Sequence, residues 1–138
     1  MAGKMWLAVV SPVAALGLVA CVATTPEVTA GRALYQDFCA TCHGDAGKGD
    51  GTLAGDWPQP PADLTRIAER NGGTFPLAKV MSTIDGYSRS NIHGSTMPEM
   101  GQVFQDAPVV LVDTGDGIET PVPRPLLDLA DYLHSIQE

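Results

Sequence analysis

Basic residues are scarce in this sequence. Its 138 residues include 8 Lys and Arg against 16 Asp and Glu, and the formal net charge is −8. Because nucleic acids and anionic lipid headgroups attract clusters of basic side chains, this balance argues against binding to either of them. It favours protein partners that offer a basic docking surface and associate in a salt-sensitive way.

Motifs for catalysis are also missing. The sequence contains no carboxylate pair, no nucleophile–base set and no second metal-binding motif. It therefore predicts a protein that is not an enzyme and that has no small-molecule substrate. No internal repeats occur, and the length fits one domain.

Long hydrophobic runs are limited to the N-terminus. Residues 5–20 form an uncharged apolar run of about 16 residues with Pro12 in its middle, whereas a membrane-spanning helix needs roughly 20. Lys4 gives the preceding residues a positive charge, and polar residues follow the run. This order is typical of a secretory signal, so we predict a cleaved signal peptide over residues 1–20.

The end of this run carries a second signal. Residues 18–21 (LVAC) resemble the lipobox of bacterial lipoproteins. The resemblance implies cleavage before Cys21, lipid attachment to its sulfur, and a location on the periplasmic side of a bacterial membrane, inner or outer. We therefore expect a lipidated Cys and short tether over residues 21–30 and one domain over residues 31–138. An uncleaved N-terminal anchor and cleavage after Ala23 are the alternatives.

Two of the three cysteines belong to one motif. Residues 39–43 (CATCH) form C-x-x-C-H, the signature of c-type haem attachment. In this chemistry the thiols of Cys39 and Cys42 add to the two vinyl groups of a porphyrin. The adjacent His43 is then held beneath the ring, where its imidazole can ligate iron. With Cys21 assigned to lipid, every cysteine has a role.

Other uses of this motif need features that the sequence does not offer. A structural zinc site normally has four ligands, and outside the motif only His93 and His134 remain as histidines. A thioredoxin-like redox C-x-x-C needs a βαβ context, whereas the flanking residues here predict a helix and a glycine-rich loop. A Cys39–Cys42 disulfide would leave His43 without a role.

The spacing of apolar residues predicts a mainly helical domain. The pattern is clearest from Leu126 to Ile136, where apolar residues recur at helical spacing. Residues 109–112 (VVLV), followed by a turn rich in Gly and Asp, predict a small β-hairpin. The predicted elements are a helix over 30–38 capped by Thr29, short helices over 63–70 and 74–86, a hairpin near 108–122, and a helix over 125–136.

These patterns together resemble class I, mitochondrial-type monohaem cytochromes c over about residues 30–136. Gly31, Tyr35 and the C-x-x-C-H motif match the N-terminal helix of that family, and residues 129–133 (LADYL) match its C-terminal helix. The resemblance implies an all-α cytochrome c fold in which these two helices cross around one covalent haem c. A side chain at position 31 would push the crossing backbones apart, which explains the glycine.

The second iron ligand is predicted from the same resemblance. Class I members usually use a methionine sulfur, and Met97 followed by Pro98 in a glycine-bounded loop matches their Met-Pro pattern. A thioether favours Fe(II) and raises the reduction potential relative to two imidazoles. Met100, His93 and an open position are the alternatives, whereas Met81 lies on an apolar helical stripe and is expected in the core.

The resemblance also implies a partner for the proximal imidazole. In class I members a proline carbonyl accepts a hydrogen bond from the imidazole N–H and thereby fixes the orientation of the ring. Pro60 and Pro61 are the two candidates in this sequence.

The function that the resemblance implies is transfer of single electrons between periplasmic or membrane redox partners. Two other functions stay open at this point. The chain could be a haem-bearing subunit dedicated to one dehydrogenase or reductase complex, or a haem protein that binds a small ligand at iron. Residues 105–122 are longer than a minimal connection to the last helix, and the resemblance does not explain them.

Overall fold

The computed structural model describes residues 25–89 and 97–138. The predicted signal peptide over residues 1–20, the predicted lipidation site Cys21 and the alternative ligand His93 lie outside the described residues. Within the two described ranges, no helix is long and apolar enough to cross a bilayer.

Helices make up most of the regular structure, and a two-stranded antiparallel sheet interrupts them before the last helix. The helices are α1 (Pro26–Phe38), α2 (Ala40–His43), α3 (Ile67–Arg70), α4 (Leu77–Asp85), α5 (Gly101–Phe104) and α6 (Arg124–Ser135). The strands are β1 (Val109–Asp113) and β2 (Glu119–Pro123), and short 3₁₀ turns cover Ala54–Asp56, Leu64–Arg66 and Tyr87–Arg89. This content agrees with the predicted helical cytochrome c fold and its hairpin.

Helix α1 begins earlier than the sequence pattern predicts. The Thr25 side chain accepts a hydrogen bond from the backbone N–H of Val28 at 3.4 Å, so Thr25 rather than Thr29 caps the helix. Pro26 occupies the first helical position, where its missing N–H costs nothing. The Thr29 hydroxyl instead donates to the carbonyl of Thr25 at 3.1 Å.

Helices α1 and α6 cross at Gly31, as the sequence predicts. A Cβ atom at this position would lie 1.9 Å from the carbonyl oxygen of Asp128 and 2.9 Å from Tyr132 Cβ. Beside the crossing, the rings of Tyr35 and Tyr132 pack with centroids 5.1 Å apart. Tyr35 and Leu129 are completely buried, so the centre of the core lies in this contact.

The middle of the chain contains the predicted short helices with small changes at their starts. Asp63 caps the first of them, because its carboxylate accepts a hydrogen bond from the N–H of Thr65 at 2.9 Å. Helix α4 begins at Leu77, later than predicted, because Pro76 has φ −88° and ψ 77° and is not helical. Gly86 ends α4 in the left-handed region, with φ 105°.

The hairpin of β1 and β2 leads directly into α6. Val109 pairs with Pro123 at its base, and Asp113 pairs with Glu119 next to the turn. Val122 is 5 % exposed and belongs to the hydrophobic core, so the hairpin is anchored through one face of β2. The structure confirms the predicted hairpin near residues 108–122.

Candidate functional site

The C-x-x-C-H motif lies at the end of α1 and in the short helix α2. Cys39 is the residue between the two helices, and its N–H donates to the carbonyl of Tyr35 at 2.8 Å. Gly44 ends α2 with φ 79°. The Tyr35 hydroxyl donates to the Gly44 carbonyl at 2.6 Å, and burial raises the pKa of this phenol well above its usual value. The proton therefore stays on Tyr35, and the core tyrosine of α1 holds the end of α2.

Two glycines let the following loop fold tightly against the motif. A Cβ atom at Gly51 would lie 2.4 Å from the carbonyl oxygen of Thr41. A Cβ atom at Gly49 would lie 2.4 Å from the carbonyl oxygen of Pro61, and Gly49 has φ 80°. These close approaches bring the residues around position 62 next to α2 and explain why this stretch of sequence is rich in glycine.

The His43 ring is oriented by a backbone carbonyl. Its Nδ1 lies 3.0 Å from the Ala62 oxygen. A carbonyl can only accept, so Nδ1 carries the proton and Nε2 keeps the lone pair that a metal ligand needs. The expectation that Pro60 or Pro61 supplies this carbonyl was wrong. Since the Pro61 carbonyl faces Gly49 instead, the next carbonyl along the chain points at His43.

Burial keeps the side chains of His43 and Cys39 uncharged. It lowers the pKa of His43, even though the hydrogen bond to Ala62 acts in the opposite direction. Burial, with a smaller contribution from Cys42, raises the pKa of the Cys39 thiol to about 11. At neutral pH the polypeptide therefore presents a neutral imidazole and a protonated Cys39 thiol to an apolar environment.

A mainly apolar cavity of about 260 Å³ opens in front of the motif. Cys39 and His43 line one part of it, and Met97 lines it as well. Apolar side chains of α4 and α6 form further walls, among them Val80 and Leu129. The structure thus brings three of the four predicted haem-binding residues to one cavity, and the fourth, Cys42, lies half-buried on α2 beside them.

The other methionines have different positions. Met81 and Met100 are 5 % and 6 % exposed and belong to the hydrophobic core. Neither lines the cavity, and the N–H of Met100 donates to the Ile84 carbonyl at 3.0 Å. The prediction that Met81 packs in the core is confirmed.

Gln137 holds the cavity wall next to Ala62 in place, although no sequence pattern indicated this role. Its Oε1 accepts from the N–H of Ala68 at 2.8 Å. Its Nε2 donates to the carbonyls of Leu64 and Leu133 at 2.9 and 2.6 Å. These partners lie far from Gln137 in sequence except for Leu133, so only the tertiary structure reveals this link between α6 and the cavity wall.

Two cations of this acidic chain also lie at the cavity. Arg70 and Lys79 are exposed residues that contribute to its lining. Arg70 is fixed by donating to the Asp63 carbonyl at 2.7 Å. Sequence reasoning missed both residues, because an isolated basic side chain in a short helix carries no signal of its own.

Comparison with known protein families identifies the domain. The family model described as cytochrome c oxidase, cbb3-type, subunit III matches residues 26–110. The chain belongs to this cytochrome c family. None of the curated proteins compared with the chain matches it. The match begins at the first residue of α1 and includes the C-x-x-C-H motif and Met97.

Membership of the cbb3-type subunit III family establishes the cofactor, which is covalently bound haem c. The site fits this group, because a neutral imidazole with a held orientation faces an apolar cavity beside two thiols spaced for attachment. Within residues 25–89 and 97–138, no group of three or more His, Cys, Asp or Glu side chains could hold a metal ion. The haem c of this family takes the place of the zinc alternative.

Proposed function

We propose that this protein is a monohaem carrier that transfers single electrons between periplasmic or membrane redox partners. Its family indicates that it is a haem-bearing cytochrome c domain of the electron-transfer type. The observation that carries the proposal is that Cys39, His43 and Met97 line one cavity. If both His43 and Met97 held the haem iron, no iron position would be left for a substrate, which suits a carrier.

Met97 is the residue that we propose would hold the haem iron together with His43. It lines the cavity that His43 also lines, whereas Met81 and Met100 are buried elsewhere in the core. Pro98 follows it and fixes the backbone angle φ beside the ligand. The soft, neutral sulfur favours Fe(II), so this ligand raises the reduction potential relative to a second imidazole.

Replacing Met97 with Ala tests this assignment. We expect the purified holoprotein to lose its weak far-red iron–sulfur absorption band completely and, once reduced, to bind carbon monoxide rapidly at the opened position. The reduction potential should fall as well. Met100→Leu is the matched control, because it changes a core methionine at nearly constant volume and should leave the band intact. A band that survives in the Met97→Ala protein would reject Met97 as the ligand.

The family description favours one alternative function. It names a subunit of an oxidase, so the chain can also be considered a haem-bearing subunit that serves one redox complex. Isolation of the native protein under mild conditions separates the two functions. A carrier is recovered alone, whereas a dedicated subunit is recovered with one partner in constant ratio. Rapid carbon monoxide binding by the unmodified protein would instead favour a ligand-binding haem protein.

We further propose that a lipid anchor at Cys21 holds the domain at the periplasmic side of a bacterial membrane. The lipobox-like residues 18–21 support this proposal. Helix α1 begins at Pro26, so residues 22–25 separate it from the anchor and reach at most about 14 Å. Acyl chains contribute roughly 0.8 kcal/mol per buried CH₂, so several chains anchor the protein almost permanently.

Replacing Cys21 with Ser should release the protein from the membrane. Without its sulfur the residue cannot receive the lipid, and we expect nearly all of the haem protein in the soluble periplasmic fraction. Cell fractionation followed by haem staining measures this distribution. The conservative change Thr24→Ser should leave the protein in the membrane fraction. A soluble unmodified protein, or an unmodified protein whose Cys21 carries no acyl chain in a mass spectrum, would rule out a lipid anchor at this residue.

A further inference from the structure

The hairpin of β1 and β2 is not explained by haem binding. None of its residues lines the cavity. The register of the two strands determines in which direction each backbone N–H and C=O group points. The N–H of Arg124 donates to the Pro108 carbonyl at 2.7 Å, so positions 108 and 124 form a hydrogen-bonded pair. In an antiparallel ladder such pairs alternate with pairs whose N–H and C=O groups point away from the partner strand.

This alternation gives the two strands different outer edges. Val110 and Val122 face each other in a hydrogen-bonded pair, so the pairs Val109–Pro123 and Leu111–Pro121 point their backbone groups outwards. On β2 two of the three outward positions, 121 and 123, are prolines, which have no N–H, and only Glu119 next to the turn keeps one. Most of this edge is therefore blocked for further pairing.

The outer edge of β1 keeps its backbone donors. Val109, Leu111 and Asp113 each have an N–H that the register directs away from β2. Within residues 25–89 and 97–138, no other backbone carbonyl accepts from these three N–H groups. The hairpin thus has one edge with three outward backbone donors and one with a single donor beside the turn, so a further strand pairs better with β1.

The side chains along the open edge are apolar at one end and acidic at the other. Val109 and Leu111 are 59 % and 62 % exposed. Asp113, Asp116 and Glu119 lie at the turn and are exposed. Between residues 90 and 123 the sequence contains no Lys or Arg, so no basic residue of this stretch offsets the acids.

We propose that the outer edge of β1 is a docking site for an extended segment of a partner protein, which adds to the sheet as a third strand. The segment has apolar residues at alternate positions, to cover Val109 and Leu111, and Lys or Arg at the end that reaches Asp113. The identity of the partner as a redox protein rests on the proposed function, whereas the open edge of β1 does not depend on it. A second copy of this chain is disfavoured, because both molecules carry a charge of −8.

A synthetic peptide serves as the probe. It has eight residues, of which six alternate Val and Thr and the two at one end are Lys. A matched peptide carries Glu in place of both Lys residues. Each peptide is titrated into ¹⁵N-labelled holoprotein, and hydrogen exchange of individual backbone amides is recorded by NMR. We expect the basic peptide to bind more tightly than the acidic one. It should slow exchange at Val109, Leu111 and Asp113, because their N–H groups become hydrogen-bonded.

Two variants at one position separate backbone pairing from side-chain contact. Leu111→Pro removes an outward N–H without removing a hydrogen bond between β1 and β2, and should weaken peptide binding about fivefold. Leu111→Val keeps the N–H and should bind almost as well as the unmodified protein. Because Leu111→Pro could disturb the hairpin, Leu111→Lys provides a further test, in which the added cation should also weaken binding of the basic peptide.

Several results would overturn the docking site. They are no binding of the basic peptide, protection of amides outside β1, equal binding by the Leu111→Pro protein, or pairing of two copies of the chain through β1. A redox titration of the same samples keeps this test apart from the proposed function. If the haem is reduced and reoxidised reversibly but the basic peptide does not bind, only the docking site is rejected. If the basic peptide binds but the haem shows no reversible redox chemistry, only the carrier function is rejected.

Discussion

Replacing both Cys39 and Cys42 with Ala should abolish covalent haem attachment. Each thiol provides one thioether bond to the cofactor, and no other cysteine lies in the described domain. After expression with haem-ligation machinery, a haem-stained denaturing gel should show the unmodified domain as a stained band. The double variant should give a signal at background level, because noncovalent haem dissociates when the protein unfolds.

Single variants and one motif neighbour complete this experiment. Cys39→Ala or Cys42→Ala alone leaves one attachment point, so we expect reduced staining and a shifted absorption band from the unreacted vinyl group. Thr41→Ala is the matched control, because Thr41 lies between the two cysteines but its side chain is exposed. It should stain like the unmodified protein. Full staining of the double variant would remove the basis for the whole assignment.

Replacing Gly31 with Ala should cause the largest loss of stability among single substitutions in the helices. The added Cβ would lie 1.9 Å from the Asp128 carbonyl oxygen, and backbone atoms on a helix cannot move aside as a flexible side chain can. Helices α1 and α6 must therefore separate at the centre of the core. We expect the free energy of unfolding to fall by about 3 kcal/mol or more, measured by denaturant titration of the holoprotein.

Gly55→Ala provides the control for this substitution. It adds the same methyl group at a glycine where a Cβ atom would meet nothing within 4 Å. The free energy of unfolding should therefore change by less than about 0.5 kcal/mol, as for most surface substitutions. Equal stability of the Gly31→Ala and Gly55→Ala proteins would show that α1 and α6 do not meet at this glycine in solution.

The helix crossing was predicted through the resemblance to class I cytochromes c, which rests on short local motifs. Gly31 and Tyr35 lie one helical turn apart, and the apolar spacing of the last helix marks the face that packs on them. Helix starts were less accurate. Thr25 and Thr29 are both suitable caps, and the choice between them depends on Pro26, which fits the first helical position.

The orientation of His43 could not be predicted in full. The motif places its imidazole beside the cysteines, and the proline-rich stretch after the loop is the correct region for its partner. Which carbonyl faces the ring depends on how the loop closes, and the close contact of Gly49 with the Pro61 carbonyl moves the hydrogen bond to Ala62. A difference of one residue in such a turn reverses the direction of a carbonyl, and no local pattern encodes it.

The sequence by itself determined the covalent chemistry and the helical framework, because attachment spacing and apolar periodicity are properties of neighbouring residues. The tertiary structure decided what depends on distant segments coming together. It placed Met97, rather than Met81 or Met100, in the cavity of His43. It also linked Gln137 to Leu64 and Ala68, and left the edge of β1 open while Pro121 and Pro123 block most of the β2 edge. Such contacts join residues far apart in the chain, so they arise only when the whole domain packs.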